Sequence, residues 1–249
     1  MNADQYLMTI LRRETVDTSV AQAVLNTLRP IIVPWGNQYL AGIAPSGAFA
    51  KGTAIKSGTD IDLFISLKPE TRETLKEIYH SLYQRMQAAG LSPNVQNVSI
   101  NVRVGSHSVD LVPGKRQNNL GTDHSLYRRR KDTWTQTNVL KHIQHVRNAN
   151  RLHETRIIKL WRNQKGLDFP SFYLEMAVIA ALSGARPGNL SGNVLKVLEY
   201  LRDTFVNARF VDPANTNNII SDDLDMTERA AIQRAAMAAL GRTWGDLVV

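Results

Sequence analysis

Ser46-Gly47-Ala48-Phe49-Ala50-Lys51-Gly52-Thr53-Ala54-Ile55, followed by Asp60-Ile61-Asp62-Leu63-Phe64-Ile65, is the stretch on which the fold turns. The β-branched and aromatic content from Thr59 to Ile65 predicts a strand. Alternation then puts Asp60 and Asp62 on one face and Ile61, Leu63 and Ile65 on the other. Asp110 has the same setting in Val109-Asp110-Leu111-Val112. If the two strands adjoin, three carboxylates converge. Two unit charges about 4–5 Å apart repel by roughly 3–4 kcal/mol at an effective dielectric of about 20. Such a group calls for a cation, and two Mg²⁺ (or Mn²⁺) ions on Asp60, Asp62 and Asp110 are the expected cofactors.

The turn ahead of the strand supplies the second half of that chemistry. Gly47 lets the backbone approach a ligand closely, and the N–H groups after it open a short helix expected near 49–53. Unpaired donors at a helix start suit a triphosphate, held at Ser46, Gly47 and Ala48. The expected reaction is nucleotidyl transfer, in which a hydroxyl attacks the α-phosphate and pyrophosphate leaves. Asp110 would ligate the ion nearest the attacking hydroxyl and help to deprotonate it.

Outward from this stretch the chain divides in character. In the first half, helical spacing runs over 18–40, with Pro30 and Pro34 expected to kink or end it. A strand is expected over 40–44, an amphipathic helix over 70–89, and strands over 98–104 and 106–113. A hairpin is expected over 124–136, with Arg128-Arg129-Arg130-Lys131 on its exposed edge. The second half is expected to be helical, at 139–164, 171–182, 192–206 and 226–239, broken at Pro187-Gly188-Asn189 and Asp212-Pro213-Ala214-Asn215. The fold class is therefore α+β. A mixed-sheet catalytic lobe with an N-terminal helix spans 1–137, a helical lobe spans 138–249, and the active-site cleft is expected between them.

Composition narrows the partners. The net charge of +8 is concentrated between Lys115 and Lys165, where thirteen Lys/Arg face only Asp123, Asp132 and Glu154. That surplus suits nucleoside triphosphates, and RNA as a further partner. There is no cysteine, and so no disulfide or thiolate metal site. Met1-Asn2-Ala3-Asp4-Gln5 is polar and acidic where a signal peptide is basic and then apolar, and no stretch is apolar enough to span a bilayer. A cytoplasmic protein without membrane partners is the expectation; the sequence leaves its oligomeric state open. His142 and His145 have no third ligand nearby and read as surface or packing residues. Taken singly, Lys159 reads as a solvated charge, Ser171 as a helix N-cap, and Phe172, Trp161 and Tyr173 as core.

The turn and its two aspartates resemble those of the polymerase-β-like nucleotidyltransferase superfamily. The resemblance is closest to bacterial cGAS-like cyclic-oligonucleotide synthases (CD-NTases), oligoadenylate synthetases and archaeal-type CCA-adding enzymes. Val109-Asp110-Leu111-Val112-Pro113-Gly114 is similar to their third-aspartate motif. Arg156-Ile157-Ile158-Lys159-Leu160-Trp161 with Pro170-Ser171-Phe172-Tyr173-Leu174-Glu175 is similar to their helical-lobe signature, and Asp212-Pro213-Ala214-Asn215 is similar to the segment before their last helix. The resemblance implies that Lys159 and Ser171 contact the donor triphosphate and that Phe172 stacks on a base. It also marks one departure, since the family has Gly-Ser where this chain has Gly47-Ala48. It implies synthesis of cyclic or linear oligonucleotide second messengers in antiphage defence. The alternatives are a CCA-adding-like RNA 3′-terminal transferase, for whose tRNA-gripping domains little chain follows Ser171, and a non-catalytic nucleotide-binding relative.

Overall fold

Ile61, Leu63 and Ile65 are almost fully buried on one side of a strand, while Asp62, Phe64 and Ser66 alternate to the other. That strand is the centre of a computed structural model that describes residues 2–58 and 60–249. Thr59, where the sequence starts the strand, lies outside the described residues, and the strand begins at Ile61, immediately after Asp60.

In chain order the first elements are α1 (Ala3–Arg13), α2 (Ser19–Gly36), β1 (Leu40–Pro45), α3 (Gly47–Lys51), β2 (Ile61–Leu67) and α4 (Leu75–Ala88). They are followed by β3 (Asn94–Val95), β4 (Ile100–Val104), β5 (His107–Arg116), β6 (His124–Arg128) and β7 (Thr133–Thr137). Then come α5 (Val139–Asn148), α6 (Leu152–Gln164), α7 (Ser171–Ala181) and α8 (Leu190–Asp203). The chain closes with β8 (Val211–Asp212), β9 (Asn215–Ile219), α9 (Met226–Ala239) and α10 (Trp244–Leu247). No helix among the described residues is long and apolar enough to cross a membrane.

Contacts group the residues into two units. The sheet unit is Asp17–Lys51 with Asp60–Ile143, and the helical unit is Met1–Val16, Gly52–Thr59 and Gln144–Val249. The sequence reading draws a single boundary after residue 137. The reason for the difference at the N-terminus is that Leu7, Ile10 and Leu11 of α1 belong to the buried cluster of α6, α7 and α8.

In the sheet unit the strand order is β1-β2-β5-β4-β3, with β6 on β5 and β7 on β6. Among the described residues only β2 and β5 run parallel. A parallel pair needs a crossover, which α4, β3 and β4 provide. The Ile61 face packs against Val24, Leu25, Leu28 and Ile32 of α2 and Tyr79, Leu82 and Met86 of α4. Thr74 and Glu77 form a capping box that starts α4, five residues later than the apolar spacing suggests.

Pro30 and Pro34 do not end α2, which continues to Gly36. Both sit one turn apart on the exposed face, as does Asn26. The carbonyls they leave without an N–H partner are therefore open to water. The helix expected over 139–164 is two helices, because Asn150 adopts a left-handed backbone (φ 53°) between α5 and α6. Asp212-Pro213-Ala214-Asn215 is more than a break. It turns the β8–β9 hairpin, with Ala214 N–H donating to Asp212 Oδ1 at 2.8 Å.

The helical unit closes over Trp161, Tyr173, Phe205 and Leu198, all fully buried. Trp161 and Tyr173 are core residues, as their positions in the sequence suggest. Arg130 and Lys131 are exposed in the β6–β7 connection. Arg129 is tied back, its Nε donating to Gln96 O at 3.1 Å.

Candidate active site

The turn after β1 is built around Asp62. Ser46 N–H donates to Asp62 O at 2.8 Å. Gly47 follows with φ 53°, and a β-carbon there would lie 1.7 Å from Asp62 Oδ2. Any side chain at position 47 would strike the carboxylate, so glycine is required for sterics as well as for φ. Ala48 N–H is hydrogen-bonded to the Asp62 carboxylate, and α3 begins within the turn, ahead of the 49–53 span expected. Ser46, expected to contact the nucleotide, is buried at 5% exposure.

Asp62 and Asp110 are direct partners in the parallel register of β2 and β5. On the far side of β5, Asn101 of β4 is the partner of Asp110. Asn101 Nδ2 donates to Asp110 Oδ1 at 2.7 Å, and Gln96 Nε2 donates to the same oxygen at 3.1 Å. Both bonds fall on Oδ1, which leaves Oδ2 for a ligand. Asp60 precedes the strand and is exposed.

The electrostatics show that these acids are undercompensated. Burial, then the Asp110 charge and more weakly that of Asp60, push the Asp62 carboxyl up to about 6, against the opposing pull of Lys51 and the Ala48 N–H. Burial also raises Asp110, with Asp60 adding to the effect while the Asn101 and Gln96 hydrogen bonds hold it back. Lys51 is the cation that faces Asp62, and it is buried at 8% exposure. Raised carboxyls, with Lys51 countering Asp62 alone, fit a divalent cation, whose charge would restore both to the ionised state. Among the described residues no group of three or more His, Cys, Asp or Glu side chains is placed to hold a metal ion. The open donor set is Asp62 and Asp110, with Asp60 at the strand entrance.

The helical unit places Lys159 in an ion pair. Lys159, expected on the triphosphate, is 2% exposed, and its Nζ lies 2.7 Å from Glu175 Oε1, itself on a residue 1% exposed. Thr53 Oγ1 donates to the same Oε1 at 2.6 Å and accepts from Lys159 Nζ at 2.9 Å. The physical reason is that α6 is buried on every side from Glu154 to Trp161 except at Arg156, so position 159 has no solvent face. Ser171 is exposed at the first position of α7, where Pro170 holds the cap position, and its Oγ accepts from Arg162 Nη1 at 3.0 Å. Phe172 is half-buried against the helical core.

Four contributors escape the sequence reading: Lys51, Gln96, Asn101 and Arg162. Asn101 had a signal, being the polar residue between buried Ile100 and Val102 in a strand paired to the Asp110 strand. Lys51 lies within the turn motif itself. Gln96 and Arg162 had none.

No family model and no curated protein matches the chain. Solved structures do match. E. coli MS115-1 CdnC with ATP aligns over 95% of this chain and 85% of its own at 20% identity and a TM-score of 0.70. Elizabethkingia meningoseptica CdnE cyclic dinucleotide synthase with GTP and Apcpp aligns over 97% of this chain and 100% of its own at 13% identity and a TM-score of 0.76. The chain shares the fold of these two proteins. A Cid1 poly(U) polymerase mutant bound to MgATP shares the fold too, over 96% of this chain and 95% of its own, at 13% identity and a TM-score of 0.70. The α+β class expected from the sequence is that of this fold.

Proposed function

We propose that the chain is a metal-dependent nucleotidyltransferase that joins nucleoside triphosphates into cyclic or linear oligonucleotides, acting in the cytoplasm as a signal synthase of antiphage defence. The observation that carries the reading is the register of Asp62 with Asp110 beside Gly47, whose missing side chain lets the Asp62 carboxylate pack directly on the turn backbone. The CdnE cyclic dinucleotide synthase and the ATP-bound CdnC among the solved structures of this fold support it.

Asp60, Asp62 and Asp110 would hold Mg²⁺ or Mn²⁺. Bound there, the ions would neutralise the triphosphate and stabilise both the attacking and the leaving oxygen. The chain's own residues do the remainder. Asp110, fixed through Oδ1 by Asn101 and Gln96, offers Oδ2 toward the acceptor hydroxyl and its proton. Gly47 and Ala48 bring the backbone against Asp62. Ala48 carries no hydroxyl, so the turn contributes backbone and no side-chain donor there. Ser171 is the nucleotide-binding candidate of the helical unit whose hydroxyl is exposed; Phe172 offers part of its ring. Lys159 acts through Thr53 and Glu175, as a structural ion pair.

Purified protein given Mg²⁺ or Mn²⁺ and mixed nucleoside triphosphates should form phosphatase-resistant products with no RNA added, and Asp62→Ala should abolish them. Incorporation only onto an added RNA 3′ end would favour the terminal-transferase reading, which the Cid1 likeness keeps in view. Nucleotide binding with no product under either condition would mean a non-catalytic relative.

A further inference from the structure

The sheet unit carries a cavity of about 250 Å³ that the nucleotidyl-transfer chemistry does not use. Its origin is legible in the strand register. Gly42 of β1 is the partner of Ser66 in β2, and Ser66 is the partner of Gly114 in β5, so three neighbouring strands carry small residues in one row. The recess above Gly114 is filled by the Phe64 ring, 2.6 Å from where a β-carbon would sit. Above Gly42 a β-carbon would meet nothing within 4 Å. Strand side chains at that level would ordinarily fill the space, and here α5 roofs it with Val139, Leu140 and Ile143.

The polar groups at its edge are ordered. His124 is 6% exposed, with Nδ1 2.8 Å from Thr122 O and Nε2 2.8 Å from Ser66 Oγ. A carbonyl can only accept, so Nδ1 carries the proton and Nε2 accepts from the Ser66 hydroxyl. Arg116 Nε donates to Ser66 Oγ at 3.3 Å, and the guanidinium makes no ion pair among the described residues. The pocket thus has apolar walls, a satisfied histidine–serine pair, and one cation without a carboxylate.

An apolar cavity of about 150 Å³ holds a benzene, so this one takes a fused bicyclic ring or a ring with a short side arm. A sheet on one side and a helix on the other favour a flat body. A planar guanidinium fork at the rim favours a carboxylate. We propose that this pocket binds a small aromatic carboxylate, with the ring in the Gly42 recess and the acid on Arg116.

The test is titration of the full chain with indole-3-acetate, with uncharged 3-methylindole as control, followed by calorimetry and by saturation-transfer NMR. Indole-3-acetate should bind with a Kd of roughly millimolar or tighter, and about tenfold better than the uncharged ring. Arg116→Gln should remove that tenfold preference and leave the binding of 3-methylindole unchanged. Gly42→Leu, checked for folding by circular dichroism, should fill the recess and abolish binding of both. Absence of saturable binding to the unmodified chain would overturn the proposal, as would binding that survives Gly42→Leu in a folded variant. Displacement of the probe by ATP would also overturn it, by assigning the cavity to the nucleotide.

Discussion

Gly47 leaves no room for a side chain because Asp62 Oδ2 occupies the place where a β-carbon would be, 1.7 Å away. Gly47→Ala must therefore displace either the turn or the carboxylate. The left-handed φ adds a backbone cost of about 1–2 kcal/mol. The expected outcome is a modest fall in Tm and a loss of product formation of at least about a hundredfold. A Gly47→Ala enzyme with ordinary activity would mean that Asp62 is not where the chemistry occurs.

The raised Asp62 carboxyl makes a signed prediction about pH. Its folded value, about 6, lies above its ordinary 3.8, so between these values the folded chain holds a proton that the unfolded chain has released. Stability of the metal-free protein should be higher below pH 4 for this group and should fall as pH rises to 6, by up to about 3 kcal/mol. Asp62→Asn should flatten that segment of the Tm-against-pH curve. Stabilisation by added Mg²⁺ should be larger at pH 7.5 than at pH 5, where Asp62 is largely protonated. Equal stabilisation at the two pH values would contradict the assignment.

Asn101 is a positioning residue for Asp110. Removing its charge-assisted hydrogen bond, worth roughly 1.5–3 kcal/mol, should lower kcat about tenfold or more. It should also move the acid limb of the pH–rate profile upward, because the bond holds the Asp110 carboxyl down. Asn101→Asp is expected to be worse than Asn101→Ala, since it adds a fourth negative charge. A kcat loss in Asn101→Ala with an unmoved pH profile would point to general damage instead.

Lys159 and Glu175 form a buried pair, which makes the single and double variants diverge. Lys159→Met alone leaves Glu175 buried without its cation and should cost about 3–5 kcal/mol in denaturant unfolding. Lys159→Met combined with Glu175→Leu should recover most of that loss. A Lys159→Met protein of normal stability but raised KM for triphosphates would restore the phosphate-binding role expected from the sequence.

Ala48→Ser supplies the hydroxyl that the sequence resemblance leads one to expect in this turn. Its backbone N–H already serves Asp62, so the substitution leaves that bond in place. Activity should be unchanged or rise by up to about tenfold. A clear decrease would show that the triphosphate does not approach this turn.

Period-two alternation was enough to place Asp62 and Asp110 on sheet faces, because their neighbours Ile61, Leu63, Val109 and Leu111 have only one way to be buried. That the two aspartates are register partners depends on a parallel pairing through a crossover, which local pattern does not encode. The burial of Lys159 is illegible for a related reason. A lysine in an amphipathic helix points to water, but α6 has no water-facing side there, and its partner Glu175 is sixteen residues away on another helix. Asn150 split one expected helix into two through a left-handed backbone that a lone asparagine permits without announcing. The prolines of α2 do not end the helix, and the carbonyls they leave unpaired lie on its exposed face.

The grouping of residues into units also constrains how the molecule can be taken apart. The chain changes unit after Val16, Lys51, Thr59 and Ile143. No single cleavage therefore yields either unit whole: a fragment ending at Ile143 carries α1 without the helices that bury it, and one starting at Gln144 lacks α1 and the Thr53 segment. Split reporters, domain swaps and truncations designed at a linear boundary should produce insoluble halves, whereas two such halves expressed together have the pieces to complement one another.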